Sequence, residues 1–207
     1  MFVVLDVDHT LLKENISFLF GKELFRDKQI SFFQGVSAGL VWIFFRLGIL
    51  SQEKLHSLLF RLIFRGKDKA FLQEHFRRFF ALHQDSLVRH VLLEKIRATF
   101  GTHIALFSSS PDFIIEEVGK ALGIEETHGS QYLVNRFGHF SSLGMIMTGV
   151  NKAALVRLRQ RPFAVYTDSA DDIPLLEIAD LPVAVCPDRQ LFSFAQKKGW
   201  DIISSSN

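Results

Sequence analysis

Cysteine is nearly absent from this sequence: Cys186 is the single one in 207 residues. One cysteine excludes a disulfide framework within the chain and a zinc site built from several thiolates. It fits a reducing compartment, so we expect a cytoplasmic protein. The eight histidines are scattered, and no two of them have the spacing typical of zinc ligands.

An excess of charge of one sign is also missing. The 24 basic and 22 acidic residues leave a net charge of +2, which is too small to indicate nucleic-acid binding. The first residues show no basic segment followed by a long apolar run, so we expect no signal peptide. Hydrophobic residues make up 48% of the chain, enough for a packed core in one domain or in one core with an inserted smaller domain.

The first half of the chain is dominated by helical periodicity. A short apolar run, 2–5, predicts a buried strand that ends at Asp6. From about residue 11 to residue 93 the pattern is helical, with almost no strand signal. The charge-free run 29–45 predicts a buried or surface-lying helix, and a membrane span is the alternative because the run is near the lower length limit for one.

From about residue 98 onwards, strand-like runs alternate with helical segments. The predicted strands are 103–107, 131–134, 140–147, 163–166, 182–185 and 201–203. The predicted helices are 111–122, 152–160, 171–178 and 189–198. This alternation predicts an α/β fold with a doubly wound parallel sheet and helices on both faces. Such sheets bind ligands at the carboxyl ends of their strands.

Two carboxylates follow the first predicted strand. Asp6 and Asp8 stand two residues apart where the strand becomes a loop. One could attack phosphorus while the other transfers a proton to or from the oxygen that leaves or enters. Taken alone, two acids at a strand end are more often solvated loop residues.

A hydroxyl and a lysine stand at two further strand ends or helix starts. Ser108 precedes a helix that begins with proline, and its hydroxyl suits a phosphoryl oxygen or a helix cap. Ser109 and Ser110 compete for both roles. Lys152 opens a predicted helix, where a cation is mildly disfavoured by the helix dipole unless it faces a phosphoryl group or a carboxylate. A surface lysine is the alternative.

An acidic cluster completes the set. Asp168 and Asp172 follow the strand 163–166 and open the next helix. Aspartates here are ordinary caps, but they are also the oxygen ligands that a hard cation such as Mg²⁺ requires. Nucleophile, proton donor, charge clamp and metal ligands together form a complete set for phosphoryl transfer.

In this order and spacing the residues resemble the four motifs of the haloacid dehalogenase superfamily of phosphatases. The matching residues are Asp6-x-Asp8-x-Thr10, Ser108, Lys152 and Asp168-Ser-x-x-Asp172. The resemblance implies a Rossmann-like catalytic core, 1–12 and 95–207, with an inserted all-helical cap, 13–94. The stretch DSADDIPLLEIADLPVAVCPDRQL is especially similar to the branch that includes phosphoserine phosphatases.

The resemblance also implies a role for each motif residue. Asp6 would form an aspartyl-phosphate, and Asp8, positioned by Thr10, would protonate the leaving alcohol and then activate water. Lys152 would offset charge on Asp6 and the phosphate. The implied phosphate-binding residues are Ser108, Ser109 and Lys152. The implied Mg²⁺ ligands are Asp6, the Asp8 carbonyl, Asp168 and, directly or through water, Asp172.

One departure from that branch concerns the substrate. Phosphoserine phosphatases carry a glutamate nine residues beyond the nucleophile, which grips the substrate amine, and here that position is Asn15. The expected substrate is therefore a small phosphorylated metabolite of open identity. A phosphotransferase or mutase is one alternative function. A membrane-surface or protein-binding module that retains the site is another.

The expected cap is rich in phenylalanine. Its members are Phe18, Phe20, Phe25, Phe32, Phe33, Phe44, Phe45, Phe60, Phe64, Phe71, Phe76, Phe79 and Phe80. These side chains either pack a helical core or form an apolar surface that admits a lipid phosphate or lies on a membrane. An apolar surface predicts a homodimer through the cap, or peripheral contact with an anionic membrane.

Overall fold

The structure, a computed structural model, describes residues 1–158 and 161–204. The strands in these residues are β1 (Phe2–Asp6), β2 (Ile104–Pro111), β3 (Glu126–Ser130), β4 (Tyr132–Val134), β5 (Phe140–Leu143), β6 (Phe163–Thr167), β7 (Leu181–Val185) and β8 (Asp201–Ile203). The α-helices are α1 (Ile16–Arg26), α2 (Phe32–Arg46), α3 (Gln52–Leu59), α4 (Lys69–Leu87), α5 (His90–Phe100), α6 (Asp112–Leu122), α7 (Gly149–Val156), α8 (Ile173–Leu176) and α9 (Arg189–Lys198).

Six strands form one parallel sheet in the order β3-β2-β1-β6-β7-β8. Strand β1 lies inside the sheet, paired with β2 on one side and β6 on the other. Its side chains alternate between faces: Val3 and Leu5 join one buried apolar cluster, and Val4 joins a second on the opposite face. The prediction of a doubly wound parallel sheet is confirmed.

Three local predictions differ from the structure. Strand β3 was not predicted, because its sequence ETHGS has a single β-branched residue and no apolar run. The predicted strand 140–147 ends at Leu143, and with β4 it forms a separate antiparallel pair. Helix α7 begins at Gly149 rather than at residue 152, since the Thr148 hydroxyl caps it by accepting a hydrogen bond from the Asn151 N–H. The predicted end of that helix at residue 160 lies outside the described residues.

Helices α1–α5 lie between β1 and β2 in the sequence. The part that carries α1–α4 begins and ends side by side, because residues 11–13 and 87–89 form a short antiparallel joint. Leu12 faces Val88 in a single bridge, the Lys13 N–H donates to the Leu87 carbonyl at 2.9 Å, and the Arg89 N–H donates to the Leu11 carbonyl at 2.9 Å. This joint closes the base of the segment that carries α1–α4, which also contacts the core elsewhere, as where Arg77 Nε donates to Glu117 Oε2 at 2.9 Å.

The phenylalanines of the helical segment divide between core and surface. Six are buried: Phe20, Phe60, Phe64, Phe76, Phe79 and Phe80. Six are exposed: Phe18, Phe25, Phe32, Phe33, Phe44 and Phe71. Helix α2, which covers most of the charge-free run, contains no buried residue. Among the described residues, no helix combines the length and the apolar character that crossing a bilayer requires.

Candidate active site

The predicted site residues meet at the carboxyl ends of three neighbouring strands. Asp6 ends β1 and pairs with Phe107 of β2, so Ser108 follows directly beside it. On the other side, Leu5 pairs with Tyr166 of β6, which brings Thr167 and Asp168 to the same edge. Because parallel strands end at one edge, residues far apart in the sequence converge there.

Lys152 connects two of the carboxylates. Its Nζ donates to Asp6 Oδ1 at 2.6 Å and to Asp172 Oδ2 at 2.8 Å. The Thr167 hydroxyl donates to the same Asp172 oxygen at 2.7 Å. The lysine is only 4% exposed, so its ammonium group lies among carboxylates rather than in water. Lys152 is therefore not the surface lysine that was its alternative interpretation.

A glycine lets helix α7 carry the lysine into the site. A Cβ added to Gly149 would lie 1.8 Å from the Asp171 carbonyl oxygen, so only glycine permits this approach. The first turn of α7 thereby packs directly on the backbone of 171–172. This contact explains why Lys152, one turn further along, reaches Asp6.

Burial and charge shift the pKa values of these groups. Burial raises the pKa of Asp6 well above its ordinary value; Lys152 opposes this shift, and Asp172 and Asp168 reinforce it. Burial acts to lower the pKa of Lys152, but Asp172 and Asp6 outweigh it and raise the pKa overall. The lysine is a permanent cation in this pocket.

Asp8 contacts the serines of β2. Its Oδ2 accepts hydrogen bonds from Ser108 Oγ at 3.1 Å and from Ser110 Oγ at 2.7 Å. Its Oδ1 accepts from the Ile16 N–H at 2.6 Å, at the start of α1. His9, at φ 60°, turns the chain sharply between Asp8 and Thr10.

Thr10 makes a different contact from the one the family resemblance implied. Its hydroxyl donates to Asp168 Oδ1 at 3.0 Å, not to Asp8. Burial raises the pKa of Asp168 to about 6, and the hydrogen bond from Thr10 lowers it in part. Thr10 thus links the loop after β1 to the loop after β6.

The donors available to a metal are carboxylate and carbonyl oxygens. Among residues 1–158 and 161–204, no group of three or more histidine, cysteine or acidic side chains is arranged as a metal cage. The charges of Asp172 and Asp168 both act to raise the pKa of Asp6, so the three carboxylates lie near one another. Asp172, predicted as a further ligand, directs Oδ2 at Lys152 and Thr167.

A cavity of about 670 Å³ lies between these loops and the inserted helices. Helices α1, α2 and α3 supply most of its wall, and Ser109–Pro111 lie at the side next to the active site. The Ser17 hydroxyl donates to Ser110 Oγ at 2.6 Å, and Ser110 in turn contacts Asp8. The cavity therefore adjoins the Asp8 carboxylate.

Sequence reasoning did not single out several residues of this region. Ser17, His56 and Tyr132 lie in the cavity wall, and Thr167 supports Asp172. None has a local sequence signal, because each reaches the site through tertiary packing. Ser110 was named only as a competitor of Ser108, yet it makes the shorter hydrogen bond to Asp8.

The model of the haloacid dehalogenase-like hydrolase family matches residues 3–177, which is most of the chain. The chain belongs to this family. The family prediction and the predicted hydrolase class are confirmed.

Curated relatives share modest identity. A histidinol-phosphatase of Neisseria meningitidis is 27% identical over 150 residues, which is 64% of this chain and 66% of that protein. A phosphoserine phosphatase of Mycobacterium tuberculosis is 28% identical over 119 residues, 53% of this chain and 38% of that protein. The chain thus spans between about two fifths and two thirds of these relatives.

Solved structures share the fold. A Bordetella pertussis protein of unknown function superposes with a TM-score of 0.85 at 19% identity, covering 98% of this chain and 97% of that one. A substrate-bound phosphoserine phosphatase superposes with a TM-score of 0.64 at 14% identity, covering 97% and 91%. The similarity extends over both the sheet and the inserted helices.

Proposed function

We propose that this protein is a Mg²⁺-dependent phosphomonoester hydrolase that works through an aspartyl-phosphate on Asp6. The observation that carries the proposal is the pair of carboxylates after β1. Asp6 is bound to a buried lysine, and Asp8 is bound to two serine hydroxyls on the neighbouring strand. Asp6 therefore lies beside a positive charge. Asp8 lies beside two hydroxyl groups and next to the cavity.

In the proposed first step, an Asp6 oxygen attacks phosphorus and the bond to the alcohol oxygen breaks. The Asp8 carboxyl gives its proton to that oxygen, so the alcohol leaves neutral. Lys152 offsets the negative charge of the phosphoryl group, and Asp172 and Thr167 orient the lysine through their hydrogen bonds. Ser108 and Ser109, after the apolar part of β2, are proposed to hold phosphoryl oxygens.

In the second step, water attacks the phosphorus of the aspartyl-phosphate. The Asp8 carboxylate takes a proton from this water, and the phosphorus–oxygen bond to Asp6 breaks. Inorganic phosphate leaves, and Asp6 regains its carboxylate while Asp8 regains its proton. A phosphotransferase would differ only in replacing water by another acceptor.

The donor set supports Mg²⁺. This ion takes oxygen ligands and is commonly held by one or two carboxylates together with substrate phosphate and water. Asp6, Asp168 and the Asp8 carbonyl are proposed to bind it, and burial of two like charges near each other makes a cation favourable there. When bound, the ion would supply positive charge to the phosphoryl oxygens. An additional role for Asp172, direct or through water, stays a prediction.

We expect hydrolysis of a generic aryl phosphate, such as para-nitrophenyl phosphate, to require added Mg²⁺. Excess chelator should abolish release of nitrophenol, and Mg²⁺ in excess of the chelator should restore it. Replacing Asp168 by alanine should raise the Mg²⁺ concentration needed for half-maximal rate. Asp85→Ala, an exposed change on α4, is the comparison and should leave that concentration unchanged. Full activity in chelator would contradict the metal assignment. Release that depends on an added alcohol acceptor would indicate a phosphotransferase.

The exposed apolar side chains of α2 and its neighbours keep a second prediction open. Phe32 and Phe33 are 67% and 80% exposed, and basic residues such as Arg46 end the same helix. Contact with an anionic membrane or a homodimer through this segment would cover this surface. We expect either salt-sensitive flotation with anionic vesicles or a dimer in sedimentation. The prediction is wrong if the protein sediments as a monomer and does not float with the vesicles, and if Phe33→Ser changes neither result.

A further inference from the structure

We propose that the alcohol part of the substrate is an extended apolar group, so that the enzyme hydrolyses monoesters of aliphatic or arylalkyl alcohols. This inference rests on the proposed phosphatase function. Its basis is the 670 Å³ cavity beside Asp8, whose size lies within the range of drug-sized ligand sites. The phosphoryl group would stay at Asp6, and the hydrocarbon would extend between α1, α2 and α3.

The hydrogen bonds at Asp8 set the direction of the alcohol. In the proposed mechanism Asp8 protonates the leaving oxygen, so the alcohol begins next to the Asp8 carboxylate. Ser110 contacts Asp8, and Ser17 on α1 contacts Ser110. Both serines line the cavity. The leaving alcohol therefore extends into the cavity rather than away from it.

The cavity wall is mostly hydrocarbon. Its apolar residues are Phe18, Phe25, Ile30, Phe32, Val36, Ala38, Trp42, Phe45, Leu55, Leu59, Ile63, Phe64 and Pro111. In the part of the chain that the structure describes, Lys22 is the one lining residue with a formal charge at pH 7, since burial lowers the pKa of His56 to about 4. The Lys22 Nζ lies 5.8 Å from the centre of the Phe18 ring. An apolar wall favours an apolar ligand, because water leaves both surfaces on binding.

Four polar side chains in the wall use one of their polar atoms in a contact with the protein. Asn15 Oδ1 accepts from the Phe18 N–H at 2.8 Å and caps α1. Gln52 Nε2 donates to Asp171 Oδ2 at 3.2 Å. The ring of His56 shares a 3.0 Å hydrogen bond with the Tyr132 hydroxyl. A polar alcohol bound through these same atoms would have to compete with these contacts, whereas a hydrocarbon leaves them intact.

Two glycines keep space open along the wall. A Cβ added to Gly21 of α1 or to Gly39 of α2 would meet no atom within 4 Å, apart from its own helix. Glycine is unfavourable inside a helix relative to alanine, so neither position is explained by helix stability. Gly35, by contrast, packs against the ring of Phe25. The open positions at Gly21 and Gly39 therefore permit a direct test by filling the cavity.

The first experiment measures kcat/KM for ethyl, butyl, hexyl and octyl phosphate, each below its micelle concentration, by release of inorganic phosphate. Burial of one methylene group should raise kcat/KM about fourfold, until the cavity is full. An 8-hydroxyoctyl phosphate should lose much of the gain of the octyl ester. Equal kcat/KM along the series, or a preference for the hydroxylated ester, would overturn the inference.

Para-nitrophenyl phosphate in the same assay separates the two levels of proposal. If neither it nor any alkyl ester is hydrolysed, the proposed function fails. If it is hydrolysed and kcat/KM is the same for all the alkyl esters, only the proposed apolar substrate class is wrong. A further arm presents phosphatidic acid in vesicles: turnover there would assign the apolar ester to a membrane lipid, and turnover of dissolved esters alone would assign it to a free metabolite. Both results support the apolar class.

The second experiment fills the cavity. Gly39→Leu should lower the octyl-to-ethyl ratio of kcat/KM at least tenfold, because the leucine side chain takes the space of the hydrocarbon. Gly39→Ala, with one added methyl group, should lower it much less. Ser37→Leu also places a leucine on the same helix, but at a position outside the residues that line the cavity. It should leave the ratio unchanged. An unchanged ratio in Gly39→Leu would contradict the placement of the chain.

Discussion

Replacing Asp6 by asparagine is expected to abolish phosphate release while the protein remains folded. The amide is nearly isosteric with the carboxylate and can still accept the hydrogen bond from Lys152, but it is not a nucleophile towards phosphorus. Lys152 also retains Asp172 as a charged partner at 2.8 Å. Para-nitrophenyl phosphate turnover and thermal unfolding, measured on one preparation, give the result.

The stability of this variant is part of the prediction. Burial raises the pKa of Asp6, so ionising this carboxyl in the folded protein is costly, and an uncharged amide should match or exceed the wild type in its free energy of unfolding. Asp85→Asn, an exposed change on α4, is the matched control and should keep full activity. Substantial turnover by a folded Asp6→Asn protein would remove Asp6 from its role.

Replacing Asp8 by asparagine is expected to lower kcat/KM for an alkyl phosphate about 10²–10⁴-fold, the usual contribution of a general acid. The loss should be smaller for para-nitrophenyl phosphate, because nitrophenolate is a stable leaving anion that needs little protonation. An asparagine can keep the contact with the Ile16 N–H, so the loop should retain its conformation.

The comparison of the two leaving groups gives this experiment its control. Loss of a proton donor changes the two substrates unequally, whereas a displaced loop would lower both rates by a similar factor. Equal losses would therefore mean that Asp8 positions the site instead of donating the proton. Thr10→Val removes the hydrogen bond from Thr10 to Asp168, and it should lower kcat/KM for both substrates by a similar factor.

The parts of the fold that the sequence predicted well are those with strong local signals. Strand β1 is an apolar run that ends at Asp6, and the apolar run of β6 leads directly into Asp168, so the alternation of strands and helices placed these residues at one edge of a parallel sheet. The edge strand β8 was also predicted, with the same bounds. In contrast, the start of α7 was misplaced because the cap at Thr148 precedes glycine and valine, which are poor helix formers.

Contacts between the loops could not be read from the sequence. The Thr10 hydroxyl contacts Asp168 because the loops after β1 and β6 pack together, and no pattern near either residue indicates it. The cavity forms where α1, α2 and α3 come together next to Ser109–Pro111. The periodicity of each helix indicates which residues are apolar, but not how the helices are arranged. The phenylalanines show the same limit: Phe20 is buried and Phe33 exposed, although both belong to apolar helices.

The antiparallel joint at Leu12 and Val88 has a consequence for how the chain folds. The inserted helices form a loop whose ends are adjacent in the native sheet, so β1 and β2 can pair at the cost of closing one long loop. The entropy of loop closure grows only with the logarithm of loop length. Closing this long loop therefore costs little more entropy than closing a shorter one, and the helices that it carries pack into the same apolar core as Val3 and Leu5 of the sheet.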